Sequence, residues 1–166
     1  MRDAAAVESF IIDAAEWSGN GVDVVCCNAG ICPPLQPISE TDPRRWWMGL
    51  EVNLKGPCLF SRFILPIMQK QRSGYIVFTA SRAAVSADPD MSSYQISKLA
   101  VTRLAECIDV ENGQYGIKSF AIHPGGVVTR LLTDIETNET EAWAVKAAKS
   151  IRSKLLEDIY CNFEYR

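Results

Sequence analysis

Ser92-Ser93-Tyr94-Gln95-Ile96-Ser97-Lys98 places a phenol and an ammonium four residues apart on one predicted helix. Positions i and i+4 share a face of a helix, so both side chains can point into one pocket. A neighbouring cation favours the phenolate, and the pKa of a tyrosine, ~10, would have to fall by roughly three units to give a base near neutral pH. The pair alone is a weak indication, because a half-buried tyrosine and a solvated lysine on an amphipathic helix have the same spacing.

The segments on both sides of this stretch alternate between helix and strand. Apolar residues at i, i+3, i+4 and i+7 predict a helix over residues 3–17. A second helix is predicted from Pro43, capped by Asp42, to about Gln71, with kinks at Pro57 and Pro66. Short apolar runs predict buried strands, and two further helices are expected. The strands are residues 22–27, 75–80 and 117–122, and the helices are residues 92–112 and a segment that resumes at residue 129.

Polar and small-residue motifs follow the predicted strands, and this alternation predicts an α/β fold with a doubly wound parallel sheet. Ligands bind at the carboxyl ends of the strands in such sheets. In their order and spacing the motifs resemble those of the short-chain dehydrogenase/reductase family over residues 3–132. They are Asn28-Ala29-Gly30, Val52-Asn53-Leu54-Lys55-Gly56, Thr79-Ala80-Ser81, the Tyr94 to Lys98 stretch, and His123-Pro124-Gly125-Gly126-Val127-Val128-Thr129.

The resemblance implies a partial Rossmann-like sheet of about three parallel strands with flanking helices, in a domain of residues 1–132. Residues 133–166 do not match the family, and we expect them to form a separate helical C-terminal segment. The implied function is an NAD(P)-dependent oxidoreductase that transfers a hydride to or from a small alcohol or carbonyl compound.

The resemblance also implies a role for each of four catalytic residues. Tyr94 would be the acid or base, and Lys98 would lower the pKa of Tyr94 and bind the nicotinamide ribose. Ser81 would orient the substrate oxygen, and Asn53 would hold a water that relays protons from Lys98. The implied cofactor, NAD or NADP, would be bound by Asn28, Ala29, Gly30, Tyr94, Lys98, Pro124, Gly125, Val127 or Val128, and Thr129.

Each motif also has a plain structural interpretation. Asn28-Ala29-Gly30 could be a simple turn, and Asn53 could be a solvated residue at a helix kink. Ser81 could be a turn hydroxyl, the commoner role of serine. His123 is the single histidine and could serve as an acid–base group, although the resemblance assigns catalysis to Tyr94.

The sequence contains no segment for gripping the pyrophosphate of a dinucleotide. A complete family member would carry a Gly-rich turn such as Gly-x-x-x-Gly-x-Gly at a helix N-terminus, and neither this run nor the family's final strand is found. We therefore expect weak dinucleotide binding and marginal stability of the chain alone. The alternative to an enzyme is a truncated, non-catalytic remnant with weak or no dinucleotide binding.

Right-handed crossovers predict that the connecting helices cover a single face of the sheet. The strands are apolar on both faces, so the other face should be exposed and strand 22–27 should be an open edge. If the chain forms a homo-oligomer, the resemblance implies contact through helices 43–71 and 92–112. Trp46 and Trp47 are candidate anchors of that contact, although a core position is equally compatible with one of them.

The composition excludes several other classes of protein. A net charge of −3 provides no basic footprint for nucleic acid. No apolar run is long enough to span a membrane, and no secretory signal pattern is present, so we expect a cytoplasmic protein. Six cysteines without a Cys-x-x-Cys pair, and a single histidine, predict reduced thiols and no metal site.

Overall fold

A computed structural model describes residues 2–19, 21–125, 127 and 129–131 of the chain. The predicted helical segment 133–166, the domain boundary at residue 132 and the cofactor-loop residue Val128 lie outside these residues. The structure has four α-helices and three strands in its described part. They are α1 (Ala4–Ser18), β1 (Val24–Cys27), α2 (Pro43–Leu50), α3 (Gly56–Gln71), β2 (Gly74–Thr79), α4 (Ser92–Asn112) and β3 (Ile117–Ile122).

Capping residues set the starts of the first two helices, and the cap at Asp42 confirms the prediction from the sequence. The side chain of Asp3 accepts a hydrogen bond from the main-chain N–H of Ala5 at 3.0 Å at the start of α1. The side chain of Asp42 accepts one from Arg44 at 2.9 Å, directly before the proline that opens α2. These carboxylates satisfy main-chain donors that have no partner inside a helix.

The predicted helix 43–71 is not one continuous α-helix. A π-helical turn, Glu51–Lys55, separates α2 from α3 and contains the buried side chain of Asn53. Pro57 lies in the first turn of α3, where a missing N–H is tolerated, and α3 continues through Pro66 to its end. The chain is therefore irregular at Asn53, ahead of the first predicted kink, and the irregularity is a widened turn of the kind often found at functional sites.

The three strands form a parallel sheet in the order β1-β2-β3, which confirms the predicted fold class. Val25 pairs with Ile76, and Ile76 pairs with Ser119 on the third strand. Because the strands are parallel, their carboxyl ends meet at one edge of the sheet. Every motif that follows a strand therefore begins at the same edge.

The hydrophobic core lies on one face of the sheet, between the strands and α1, α3 and α4. Each of these helices contributes buried apolar side chains to one cluster with the central strand residues Ile76 and Phe78, which are fully buried. The other core members are Val7, Ile11, Cys27, Ile64, Met68, Val101, Ala105, Ile108 and Ile117.

The opposite face of the sheet is exposed and apolar, as the handedness of the crossovers predicted. Val24 is 52% exposed, Tyr75 51%, and Phe120 and Ile122 46% each. The rings of Tyr75 and Phe120 stack on this face with centroids 6.3 Å apart. Among the described residues, β1 pairs only with β2, so its other side is an open edge, as expected.

Candidate active site

The carboxyl edge of the sheet holds the predicted site residues. Asn28 follows β1, and its side-chain oxygen accepts a hydrogen bond from Thr79 Oγ1 at 2.8 Å. Ser81 lies two residues after the end of β2. The residue between them, Ala80, donates its main-chain N–H to the carbonyl oxygen of Ile122 at 2.8 Å. Hydrogen bonds thus join the carboxyl ends of the three strands, next to the first turn of α4.

Tyr94 and Lys98 lie on the same face of the start of α4. The ammonium of Lys98 is 5.6 Å from the centroid of the Tyr94 ring, within the range of a cation–π contact. Lys98 is only 4% exposed, and its Nζ donates a hydrogen bond to the main-chain oxygen of Thr79 at 2.7 Å. A buried charge needs such a partner, and the strand end supplies it.

Ser81 completes the cluster from the side of the sheet. Its hydroxyl accepts a hydrogen bond from the main-chain N–H of Ala83 at 3.1 Å, which caps a short 3-10 turn and orients the side chain. The Ser81 side chain also hydrogen-bonds to the phenol of Tyr94. The structure therefore brings together Ser81, Tyr94 and Lys98, which lie up to 17 residues apart in the sequence (98 − 81).

The electrostatics of the cluster differ from the sequence-based expectation. Burial raises the pKa of Tyr94, the hydrogen bond from Ser81 lowers it in part, and the nearby thiol of Cys32 raises it further. Burial lowers the pKa of Lys98, and the charge of Cys32 opposes that shift. The pKa of Tyr94 is therefore raised overall, because desolvation of the phenolate outweighs the other effects, and a lowering of that pKa by Lys98 stays a prediction.

Asn53 is buried in the π-helical turn and is hydrogen-bonded through its whole amide. Its Oδ1 accepts from the N–H of Ile31 at 2.8 Å, and its Nδ2 donates to the Ile31 carbonyl at 2.9 Å and to Ser97 Oγ at 2.9 Å. Both N–H groups of the amide are therefore engaged with protein. A water bound by Asn53 would therefore have to donate to one of its oxygen atoms, because both side-chain N–H groups are used, and that role stays a prediction.

The loop after β1 passes directly over the buried amide and ammonium. A Cβ atom on Gly30 would lie 3.2 Å from Asn53 Oδ1 and 3.4 Å from Lys98 Nζ, so glycine permits the close approach of this backbone. The side chains of Asn28 and Ala29 are exposed at the same edge. The loop therefore joins the cluster, which gives the site a small-residue rim.

The loop after β3 lies at this edge of the sheet as a run of exposed residues. Pro124, Gly125, Val127 and Thr129 are all exposed, and Gly125 has a φ of +78°, in the region that favours glycine. Their part in binding a cofactor stays a prediction. His123 is exposed at the end of β3 and, apart from its position at the same edge, gains no support from the structure as an acid–base group.

Two residues of the site were missed by the sequence analysis. Ser97 is fully buried and contacts both Asn53 and the main chain of Tyr94. A serine inside a helix, beside the lysine of the motif, was an available signal, since serine is a poor residue for a helix interior. Cys32 interacts electrostatically with Tyr94 and Lys98, and no sequence pattern indicated it.

Two other kinds of site were sought in the described part of the chain. No group of three or more His, Cys, Asp or Glu side chains there is arranged to hold a metal ion. Within the same residues, no helix combines the length and the apolar character needed to cross a membrane.

Comparison with known proteins identifies relatives of the chain. A family model for short chain dehydrogenase matches residues 1–140. The short chain dehydrogenase pigC of Monascus ruber is 39% identical over 132 residues, which cover 80% of this chain and 43% of pigC. The oxidoreductase UcpA of Salmonella typhimurium is 31% identical over 163 residues, covering 95% of this chain and 61% of UcpA.

Solved structures give the same answer for the fold. The crystal structure of levodione reductase superimposes with a TM-score of 0.80 and 31% identity, over 90% of this chain and 57% of that one. NAD+-bound xylitol dehydrogenase superimposes with a TM-score of 0.76 and 26% identity, over 82% of this chain and 53% of that one. The chain spans about half the length of the curated relatives it matches.

Proposed function

The chain belongs to the short-chain dehydrogenase family, and from this premise we propose that it carries the proton-transfer site of a nicotinamide-dependent oxidoreductase. The substrate class is a small alcohol or carbonyl compound. The observation that carries the proposal is the convergence of Ser81, Tyr94 and Lys98 at the carboxyl edge of a parallel sheet. A hydroxyl, a phenol and a buried ammonium in one cleft are suited to move a proton on or off an oxygen atom.

The protonation state of the phenol favours the reductive direction. Burial raises the pKa of Tyr94, so the phenol keeps its proton at neutral pH and is ready to donate it to a carbonyl oxygen. The Ser81 hydroxyl is placed to hold that oxygen beside the phenol. Lys98 would stabilise the tyrosinate that remains after the transfer. Working in the oxidative direction would require the Tyr94 pKa to fall, because the phenolate must then accept the proton.

The residues at the sheet edge suit the nicotinamide end of NAD or NADP. Asn28, Ala29 and Gly30 form a small, partly polar rim, and Lys98 offers an ammonium beside it. A bound nicotinamide would supply or accept the hydride. The exposed loop residues Pro124, Gly125, Val127 and Thr129 are the proposed contacts on the side of β3.

A narrow pocket next to the phenol has a volume of about 10 Å³, room for about one water molecule. It is bounded by the proline loop after β1, by Trp46 of α2, and by the residues that lead into Tyr94. The body of an organic substrate would therefore lie outside this pocket, along the carboxyl edge of the sheet.

Assembly into a homo-oligomer through the outer faces of α2, α3 and α4 is part of the proposal. Trp47, Leu99 and Val110 expose large apolar surfaces there, and Val110 is 84% exposed. Trp46 is instead engaged within the chain, because its indole N–H donates to Ser92 Oγ at 2.9 Å. Of the two candidate anchors, Trp47 is therefore the one available to a partner.

A non-catalytic remnant is the second candidate, and the exposed sheet face favours it. A chain with an uncovered apolar face of this kind holds its active-site residues on an incomplete support. The absence of a Gly-rich turn from the sequence points the same way, because the pyrophosphate would have no helix N-terminus of that type to bind.

Substitution of the phenol tests the two candidates. The 166-residue chain would be assayed for nicotinamide-linked reduction of small carbonyl compounds at millimolar cofactor, because weak binding is expected. Tyr94→Phe should lower turnover by about 10²-fold or more, the usual contribution of a positioned acid or base. Tyr115→Phe, a half-buried tyrosine that contacts Arg72 away from the site, is the matched control and should retain turnover.

The outcomes separate the candidates cleanly. Turnover by the unaltered chain that survives Tyr94→Phe would contradict the assigned proton donor. No turnover from any variant would favour the remnant. Calorimetric titration of the same chain with NAD and NADP accompanies the assay, and low-micromolar affinity for either would contradict the expected weak binding.

A further inference from the structure

Ser97 occupies a fully buried position inside α4, between the two functional side chains of that helix. Its hydroxyl donates a hydrogen bond to the main-chain oxygen of Tyr94 at 2.7 Å. Ser97 Oγ in turn accepts a hydrogen bond from Asn53 Nδ2 at 2.9 Å. One hydroxyl thus connects the first turn of α4 with the π-helical turn between α2 and α3.

The side-chain amide of Asn53, which donates to Ser97 Oγ, also binds the loop after β1. Asn53 binds both main-chain polar groups of Ile31, one through each end of its amide. Ile31 follows Gly30, whose backbone lies against Lys98, and precedes Cys32, whose thiol interacts with Tyr94. A continuous series of hydrogen bonds therefore runs from the loop after β1, through an amide and a hydroxyl, to the backbone that carries the phenol.

A hydrogen bond to a carbonyl one turn back explains only one of the two hydrogen bonds of the Ser97 hydroxyl. Serine and threonine in helices often donate to a carbonyl one turn back, and Ser61 and Thr102 do so in this chain at 2.9 Å each. Neither hydroxyl is seen to accept a bond from a distant side chain. Ser97 does, from a residue 44 positions away in the sequence, so its position links separate elements.

We propose that Ser97 is a positioning residue, whose hydroxyl couples the loop at residues 30–32 to the first turn of α4 and thereby fixes Tyr94 against Ser81 and Lys98. The inference rests on the proposed function only in taking Tyr94 as the proton carrier. The coupling itself is a property of the folded chain, so it can be measured without any turnover.

Removing the Ser97 hydroxyl should weaken the hydrogen bonding at both ends of this series, at Ile31 and at the main-chain oxygen of Tyr94. In Ser97→Ala, an N–H of the buried Asn53 amide loses its acceptor, and a buried donor without a partner is unfavourable. The amide can then turn away from Ile31 to find another partner, and the Tyr94 carbonyl loses its donor. The phenol should consequently hold its hydrogen bond with Ser81 less well.

Amide hydrogen exchange at Ile31 and the ionisation of Tyr94 are the two readouts. In the 166-residue chain, Ser97→Ala should speed exchange of the Ile31 N–H by about tenfold, the factor that corresponds to one hydrogen bond of about 1.4 kcal/mol. The phenol of Tyr94 should ionise at higher pH than in the unaltered chain, because the bond from Ser81 that favours the phenolate is weakened. Its absorbance is isolated by subtracting that of Tyr94→Phe.

Ser61→Ala is the matched control for this experiment. It removes an equally buried helical hydroxyl with the same kind of bond to a main-chain oxygen, at a site in α3 without a link to Asn53. We expect Ser61→Ala to leave the pH at which Tyr94 ionises unchanged. The exchange rate of the Ile31 N–H should also be unchanged, once it is corrected for any change in global stability. Equal effects of Ser97→Ala and Ser61→Ala on both readouts would overturn the proposal.

A second variant covers the case in which Ser97→Ala does not fold. Ser97→Cys nearly keeps the volume of the side chain but replaces the hydroxyl by a weak donor and acceptor. It should reproduce the faster Ile31 exchange and the shifted Tyr94 ionisation, and unchanged values in this variant would contradict the proposal. A chain that shows the predicted shifts but no turnover would refute the proposed function while leaving the positioning role intact.

Discussion

Lys98 shows how burial at the residue scale changes the chemistry that a sequence motif suggests. A lysine four residues after a tyrosine is expected to favour the phenolate, yet here the ammonium is buried and donates to the Thr79 carbonyl. Desolvation acts on both members of the pair, so the pKa of Tyr94 is raised and the pKa of Lys98 is lowered. The neutral phenol that results can donate a proton.

The buried ammonium should make stability depend on pH in a defined direction. The pKa of Lys98 is lowered in the folded chain, so between that value and 10.5 the unfolded chain binds more protons. The free energy of unfolding contributed by Lys98 should therefore rise with pH in this window. Urea unfolding from pH 7 to 9.5 measures it, and the upper limit stays below the range in which tyrosine ionises.

Lysine-to-methionine variants isolate this contribution. The difference in unfolding free energy between the unaltered chain and Lys98→Met should increase as the pH rises. Lys70→Met, which removes an exposed lysine at the end of α3, is the control for a general change in charge. A difference for Lys98→Met that is flat or falls with pH would show that the ammonium is not destabilised by burial.

At the scale of elements, the contact between α2 and the start of α4 sets where Tyr94 enters the site. Ser93 Oγ donates to the main-chain oxygen of Trp46 at 2.6 Å, and Trp46 in turn donates to Ser92. Gly49 lets the helices approach this closely, because a Cβ atom there would overlap Ser93 Oγ and lie 2.7 Å from Pro33 Cγ.

Two glycine-to-alanine variants test this contact. Gly49→Ala should lower the free energy of unfolding by roughly 1–3 kcal/mol through overpacking. Gly113→Ala is the matched control, since Gly113 is helical in conformation and a Cβ there meets nothing within 4 Å. It should leave stability unchanged or raise it by up to about 1 kcal/mol. Denaturant unfolding of both variants measures these changes. Equal effects on the free energy of unfolding would refute close packing at Gly49.

The elements themselves could largely be predicted from the sequence. Strong local signals, such as Asp42 with Pro43 and the apolar runs that became β2 and β3, gave the helix start and the strands to within a residue or two. The break at the π-helical turn could be anticipated only loosely, because it depends on the contact between Asn53 and Ile31. Likewise, the raised pKa of Tyr94 depends on burial of its side chain, which no local sequence pattern predicts.

At the scale of the whole molecule, the main consequence of the topology is that the described helices leave one face of the sheet uncovered. Val24, Tyr75, Phe120 and Ile122 are exposed apolar residues on that face, beside the exposed Lys118. Surfaces of this kind promote association between molecules in water. The same crossovers that build the active edge on one side therefore leave the chain prone to self-association on the other.

Substitution on this face should reduce self-association. Phe120→Ser removes the ring that stacks on Tyr75, so sedimentation velocity should show a smaller increase of mean mass with concentration than for the unaltered chain. Trp17→Ser is the control, because Trp17 is a highly exposed aromatic on α1, away from the sheet face. An unaltered chain that stays monomeric at high concentration would contradict the account of the exposed face.

The central claim for the molecule is that Ser81 and Tyr94, from a strand end and a helix start, share one cleft. Ultraviolet titration of the Tyr94 phenol tests it most directly, with Tyr94→Phe subtracted and circular dichroism used to verify that the chain stays folded. We predict that the phenol ionises at a higher pH than an ordinary tyrosine in the unaltered chain and at a still higher pH in Ser81→Ala, because the Ser81 hydrogen bond lowers the pKa of the phenol. Ser86→Ala, in the adjoining loop, should have no effect. An ionisation of Tyr94 that Ser81→Ala leaves unchanged would contradict the claim.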